Sequence, residues 1–179
     1  MKNDILRIAI LGPESTGKST LAQELADSFQ TVWVPEHSRN YVETLGRQYD
    51  REDILFSIRE QCKQEDELMT KANTLIFADT DPILAKVWME DVFQESNKEL
   101  DQLIQDRAYD LYLLLYPDLP FVQDSVRENP SRREYFFNWY KSELKKRKFR
   151  YCIISGSGPS RFKNAKNEID SFLADHRKT

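Results

Sequence analysis

Between an apolar run, ILRIAIL, and a segment of helical period, STLAQELADSF, lies the stretch Gly12-Pro13-Glu14-Ser15-Thr16-Gly17-Lys18-Ser19. The order strand, glycine-bracketed loop, Lys-Ser and helix leaves little architectural freedom. Glycines let the backbone bend until its N–H groups face inward, and the helix that follows adds its positive end, which together make a cradle for polyphosphate. Lys18 is then placed to bridge the β- and γ-phosphates, and the Ser19 hydroxyl to ligate Mg2+. The residues from Gly12 to Ser19 are the expected ATP-binding loop.

The rest of the chain repeats the alternation. Short apolar runs at 6–11, 31–34, 74–78, 111–116 and 151–154 are separated by segments of helical period, such as Ala22, Leu25, Ala26 and Phe29. The last segment sets Phe162, Ala165, Ile169, Phe172 and Leu173 on one stripe. Buried strands alternating with helices imply an α/β fold, a five-stranded parallel sheet covered on both faces. Ligands bind such sheets at the carboxyl ends of the strands, so candidate residues should follow a strand.

With 179 residues and no pooled Pro or Gly, a single domain over 1–179 is expected. A net charge of −4 provides no general basic field for nucleic acid, and KSELKKRKFR reads as the solvated face of a helix. No stretch approaches the roughly 18 apolar residues of a membrane span, and MKNDILRIAI lacks a signal-peptide pattern. Cys62 and Cys152 have no metal or redox spacing and read as bland thiols in a reducing compartment. A cytoplasmic chain without nucleic-acid or membrane partners is the expectation.

Acids stand where the sheet would open. The third run ends LIFADTD, and strand period puts Asp79 and Asp81 on one side near the phosphate loop. Asp79 is the candidate for holding Mg2+ or its waters. Turn chemistry is the alternative, with Asp81 as helix N-cap and Pro82 in the first helical position. The second run ends WVPEHSR, which sets Glu36 to orient or deprotonate an acceptor hydroxyl and Arg39 one turn later to pair with it or with an anion. A first-turn acid answering the helix dipole is the other reading of Glu36.

After LYLLLYP comes a polar, proline-marked stretch carrying Asp118, Asp124, Arg127, Arg132 and Arg133, with a helix that can start at Ser131. Residues 117–134 read as a lid. Guanidinium groups brought in by closure would stabilise the charge on a moving phosphoryl group and exclude water, with Arg127 and Arg133 the candidates. The one Asn-Lys pair, Asn97-Lys98, follows no strand, which disfavours a GTPase.

GPESTGKSTL, VPEHSRNYV, DILFSIREQ, FADTDPILAKVW and PDLPFVQDSVRENPSRREYFF together resemble the ribosylnicotinamide kinase domain of the NadR family and its stand-alone AAA-ATPase-like relatives. The resemblance implies a nucleoside-monophosphate-kinase-like P-loop fold. It also implies transfer of the ATP γ-phosphate to the 5'-hydroxyl of nicotinamide riboside in NAD biosynthesis. By position it assigns Glu36 and Arg39 to a Glu-x-x-Arg after the second strand, Gln61 to the substrate pocket and Asp79 with Asp81 to an Asp-Thr-Asp. Trp88 matches a tryptophan of the stand-alone relatives, and Asp124 with Arg127 an Asp-x-x-Arg of the lid. From the residues alone, Trp88 can stack on a pyridinium or pack in the core, and Gln61 can be an exposed helix amide. The family's aromatic and acid after these residues are His37 and Asn40 here, and Phe121 stands where its lid often has tryptophan. Without an H-x-G-H motif the chain is expected neither to make the dinucleotide nor to act as a repressor. Phosphorylation of another nucleoside or small alcohol, and a non-catalytic ATP-binding sensor, stay open beside the leading reading.

Overall fold

The computed structural model describes residues 5–123 and 131–177. In chain order the elements are β1 (Leu6–Leu11), α1 (Lys18–Ser28), β2 (Val32–Val34), α2 (His37–Thr44), α3 (Arg51–Met69), β3 (Leu75–Asp79) and α4 (Pro82–Phe93). They continue with α5 (Lys98–Asp106), β4 (Leu111–Leu115), α6 (Arg133–Lys146), β5 (Tyr151–Ile154) and α7 (Pro159–His176). The five strands form one sheet in the order β2-β3-β1-β4-β5, and every neighbouring pair is parallel. This is the expected architecture, with strand limits shifted by a residue at Thr31, Thr74, Asp79 and Tyr116.

Alternation along the strands divides the core in two. Ile8, Ile10, Phe77 and Leu113 pack against Leu21 and Leu25 of α1 and Ala165, Ile169 and Phe172 of α7. On the other face Ala9, Leu11, Ala78 and Leu114 meet Ile83 and Val87 of α4 and Phe136, Tyr140 and Leu144 of α6. A third cluster, Ile54, Ile58, Cys62, Ala85, Met89 and Leu100, fixes α3 against α4 and α5. Burial of this apolar surface, at about 25 cal/mol per Å2, is what holds the carboxyl ends of the strands in place.

Local chemistry ends each element where the site needs it. In α3 the Asp50 carboxylate accepts the Asp53 N–H at 3.1 Å, and Asp53 answers the Asp50 N–H at 2.8 Å, a closed capping box. Asp81 caps α4, with Pro82 in its first turn. Helix α6 starts at Arg133 rather than at Ser131, because Arg132 has non-helical backbone angles and spends its guanidinium on Asp91. Among the described residues no helix is long and apolar enough to cross a membrane.

Candidate functional site

The loop after β1 has the conformation its glycines permit. Gly17 lies at φ 78, the left-handed region that favours glycine, and passes directly into α1. At Gly12 a Cβ would come within 3.1 Å of Leu115 and of Thr16 Oγ1, a tight approach that a side chain could take only if these neighbours shifted. Buried Thr16 donates its hydroxyl to the Pro13 carbonyl at 2.8 Å, and Lys18 Nζ folds onto the same carbonyl at 3.1 Å. The lysine therefore sits over its own loop, within reach of an anion held there.

Strand register brings Asp79 beside this loop, since Ile10 pairs with Asp79 across β1 and β3. Asp79 is fully buried, and its Oδ2 accepts the Ser19 hydroxyl at 2.5 Å. Burial first, and the Glu36 carboxylate second, push its pKa up to about 6 against the pull of Lys18, the Ser19 bond and Arg39. Its Oδ1 is buried with no hydrogen-bond partner among the described residues. A hydroxyl and a carboxylate oxygen so placed form an all-oxygen donor pair suited to a hard divalent cation that keeps most of its water.

Asp81, expected at the substrate, stands at the head of α4. It is 1% exposed, accepts the Leu84 N–H at 3.4 Å as the cap of α4, and is absent from the lining of the main cavity. Burial pushes its pKa up to about 7 against the backbone N–H groups of Ile83 and Leu84. The helix-cap reading describes it. Thr80, between the two acids, turns the chain at φ 75 with its N–H bonded to the Ile10 carbonyl at 3.0 Å. That conformation is rare for a residue with a Cβ, and the buried turn maintains it.

Gln61, which the resemblance assigns to the substrate pocket, is not the exposed helix amide its residue type also allowed. Its side chain is buried under the site: Oε1 accepts the His37 N–H at 2.8 Å and Nε2 donates to the Asp79 carbonyl at 2.8 Å. One amide thus ties the chain just after β2 to the end of β3, fixing the spacing between Glu36 and Asp79.

A cavity of about 1010 Å3 runs from the phosphate loop to a wall built by α2, the α2–α3 connection, α4 and α6. Glu36 and Arg39 line it as expected, Glu36 accepting the Ser38 hydroxyl at 2.8 Å and Arg39 lying 3.9 Å from Glu43. Trp88 lines the cavity and packs on the α3–α4 cluster, with Tyr49 set edge-on at 4.8 Å. His37 stacks on Tyr41 at 5.7 Å.

The lid candidates divide. Asp124 and Arg127 lie outside the described residues. Arg133 gives both terminal nitrogens to the Leu119 carbonyl, at 2.8 and 2.7 Å, and reaches the Ser15 carbonyl at 3.4 Å. It grips the loop's backbone and does not line the cavity. Arg132 makes a two-pronged pair with Asp91, at 2.9 and 2.5 Å, and covers the Tyr135 and Phe136 rings.

Sequence reasoning missed Arg47, Tyr49, Asp91 and Tyr140 of the wall and Arg161 behind the loop. The wall residues follow no strand, so the strand-end rule could not reveal them. Tyr140 alone carried a signal, lying one turn from Phe136 and Phe137 on the apolar stripe of α6.

Residues 7–161 match the model of a family described as an AAA domain. The trifunctional NAD biosynthesis/regulator protein NadR of Escherichia coli (strain K12) is 31% identical over 67% of this chain and 30% of its own length. Its namesake from Salmonella typhimurium (strain LT2) is 32% identical over the same shares. The chain thus matches less than a third of the length of these curated relatives. Among solved structures, a NadR protein in complex with NR superposes with a TM-score of 0.82 at 22% identity, covering 94% of this chain and 51% of that one. Deoxyadenosine kinase from M. mycoides superposes with a TM-score of 0.64 at 14% identity, covering 93% and 100%. The fold is therefore that of P-loop nucleoside and nucleotide kinases.

Proposed function

The chain belongs to the AAA domain family, and on that premise we propose that it is an ATP-dependent kinase of a small nucleoside, with nicotinamide riboside as the leading acceptor. One observation carries the reading: a single cavity has a phosphate loop at one end and Glu36, Trp88 and Tyr49 further along its wall. Donor and acceptor can lie end to end in it, which converts a bimolecular transfer into an intramolecular one. The resemblance to NadR favours the pyridine nucleoside, and the Trp88 and Tyr49 rings offer a flat base an aromatic surface to lie against.

Each residue then has a task. The N–H groups of the loop and Lys18 hold the ATP phosphates. Ser19 and the unpartnered Asp79 oxygen are the protein's donors for Mg2+, which when bound would neutralise charge on the β- and γ-oxygens. Glu36 orients the acceptor hydroxyl and takes its proton as the new O–P bond forms and the bond to the β-phosphate oxygen breaks, releasing ADP. Asp79, bonded to Ser19, and Asp81, buried at the head of α4 outside the cavity lining, leave that role to Glu36. ATP and Mg2+ are thus the cofactors, a small nucleoside the partner, and 1–179 acts as one domain in the cytoplasm.

Acceptor-dependent ADP release tests this, with Mg-ATP and a panel of nicotinamide riboside, deoxyadenosine, thymidine and choline. Stimulation by nicotinamide riboside to roughly 1 per second or faster is expected. A rate no higher with any acceptor than without one would overturn the kinase reading.

A further inference from the structure

Arginines grip the phosphate loop from outside the cavity. Arg161, in the first turn of α7, is 4% exposed, and its guanidinium joins three separate segments. It donates through Nη1 to the Thr16 carbonyl at 3.0 Å, through Nη2 to the Tyr116 carbonyl at 3.1 Å and through Nε to the Gly156 carbonyl at 2.8 Å. Nη2 also pairs with Asp118, whose other oxygen accepts the Gly156 N–H at 2.6 Å. Arg133 holds the preceding loop carbonyl, that of Ser15, at 3.4 Å. Neither guanidinium lines the cavity.

In a trans peptide the C=O and the following N–H point in opposite directions. A carbonyl drawn out of the cavity therefore fixes the next N–H towards it. The Thr16 carbonyl shares its peptide with the Gly17 N–H, and the Ser15 carbonyl with the Thr16 N–H. Ser15 itself lies at φ 56, a conformation that needs support from its surroundings.

We propose that Arg161, locked by Asp118, is a positioning residue of the phosphate-donor site: it aims the Gly17 N–H at the bound phosphates, as Arg133 aims that of Thr16. The inference rests on the reading of this loop as the ATP site. Donors aimed in advance need no reorganisation when the anion arrives, which is what makes them effective. Arginine is required, because four acceptors in three segments need a planar fork that lysine lacks. The turn after β5 is the second object that Arg161 holds.

Calorimetric titration with ATP and, separately, inorganic tripolyphosphate tests the assignment on wild type, Arg161→Lys and Asp118→Asn, with thermal melts alongside. A lost hydrogen bond to a charged group corresponds to about tenfold or more in affinity. Arg161→Lys is expected to weaken ATP and tripolyphosphate by the same factor of that size, with the acceptor KM within twofold of wild type. Loss confined to ATP would overturn the assignment by tying Arg161 to the nucleoside part of ATP rather than to its phosphates, and so would unchanged affinity for both probes. If Arg161→Lys does not fold, Asp118→Asn carries the comparison, with parallel weakening expected and unchanged affinities overturning it. A wild type that binds neither probe would overturn the ATP-site reading itself, and this inference with it.

Discussion

Replacing Gln61 separates a residue that holds the site together from one that touches substrate. Its amide satisfies two buried backbone groups, the His37 N–H and the Asp79 carbonyl, each at 2.8 Å. Gln61→Leu keeps most of the volume and removes both partners, leaving two orphaned groups at about 1–3 kcal/mol each, so a loss of about 2–6 kcal/mol is expected. Gln61→Ala should lose a further ~1 kcal/mol or more for the space left behind. For a chain of this length those losses lower the melting temperature by roughly 5–20 °C. Urea unfolding of both variants gives the energies, and steady-state kinetics should show kcat falling with little change in acceptor KM, because Glu36 and Asp79 lose their fixed spacing. A variant within ~0.5 kcal/mol of wild type whose acceptor KM rises tenfold would refute the argument and return Gln61 to the substrate pocket.

The metal-free chain should lose stability as pH rises from about 4 to 7. Asp79 and Asp81, with pKa values raised to about 6 and about 7, stay protonated when folded while their unfolded counterparts ionise, so the folded state binds more protons across that window. Each contributes a slope of up to about 1.4 kcal/mol per pH unit. Melts from pH 4.5 to 8 check this, and a melting temperature that rises over the window, or an Asp79→Asn variant with an unaltered slope, would contradict it. Burial pushes the Cys62 thiol up to about 11 and that of Cys152 up to about 12. Iodoacetamide at pH 7.5 should therefore label the native chain at least tenfold more slowly than the urea-unfolded chain. Trp88→Leu should raise the acceptor KM about tenfold while leaving ATP affinity unchanged, and equal loss of both would assign Trp88 to packing alone.

What the sequence made legible was whatever follows a strand. The phosphate loop, Asp79 and Glu36 stand at strand ends, and parallel order with a one-residue register uncertainty is enough to bring them together. Of the cavity wall, Arg39 of α2 and Trp88 of α4 were named through the resemblance, whereas Arg47, Tyr49, Asp91 and Tyr140 were not legible, since their place depends on how helices and their connections lean over the sheet. Gln61 could have been read correctly: Ile54, Ile58, Cys62 and Glu65 mark the buried stripe of α3, and Gln61 is three residues from Ile58 on that stripe. Asp81 followed the rule that an Asp before Pro caps a helix, which overrode its strand-end position. Arg161 gave no signal, because a single arginine one turn into a helix looks like a solvated side chain until the fold brings three loops to it.

The central claim is that the γ-phosphoryl group passes from ATP to an acceptor hydroxyl and not to water. Mass spectrometry of the products formed from ATP carrying 18O on its γ-phosphoryl oxygens, with nicotinamide riboside present, tests that most directly. Nicotinamide mononucleotide bearing the labelled phosphoryl oxygens is the result the account predicts. Label recovered only in inorganic phosphate, with the riboside unchanged, would contradict it.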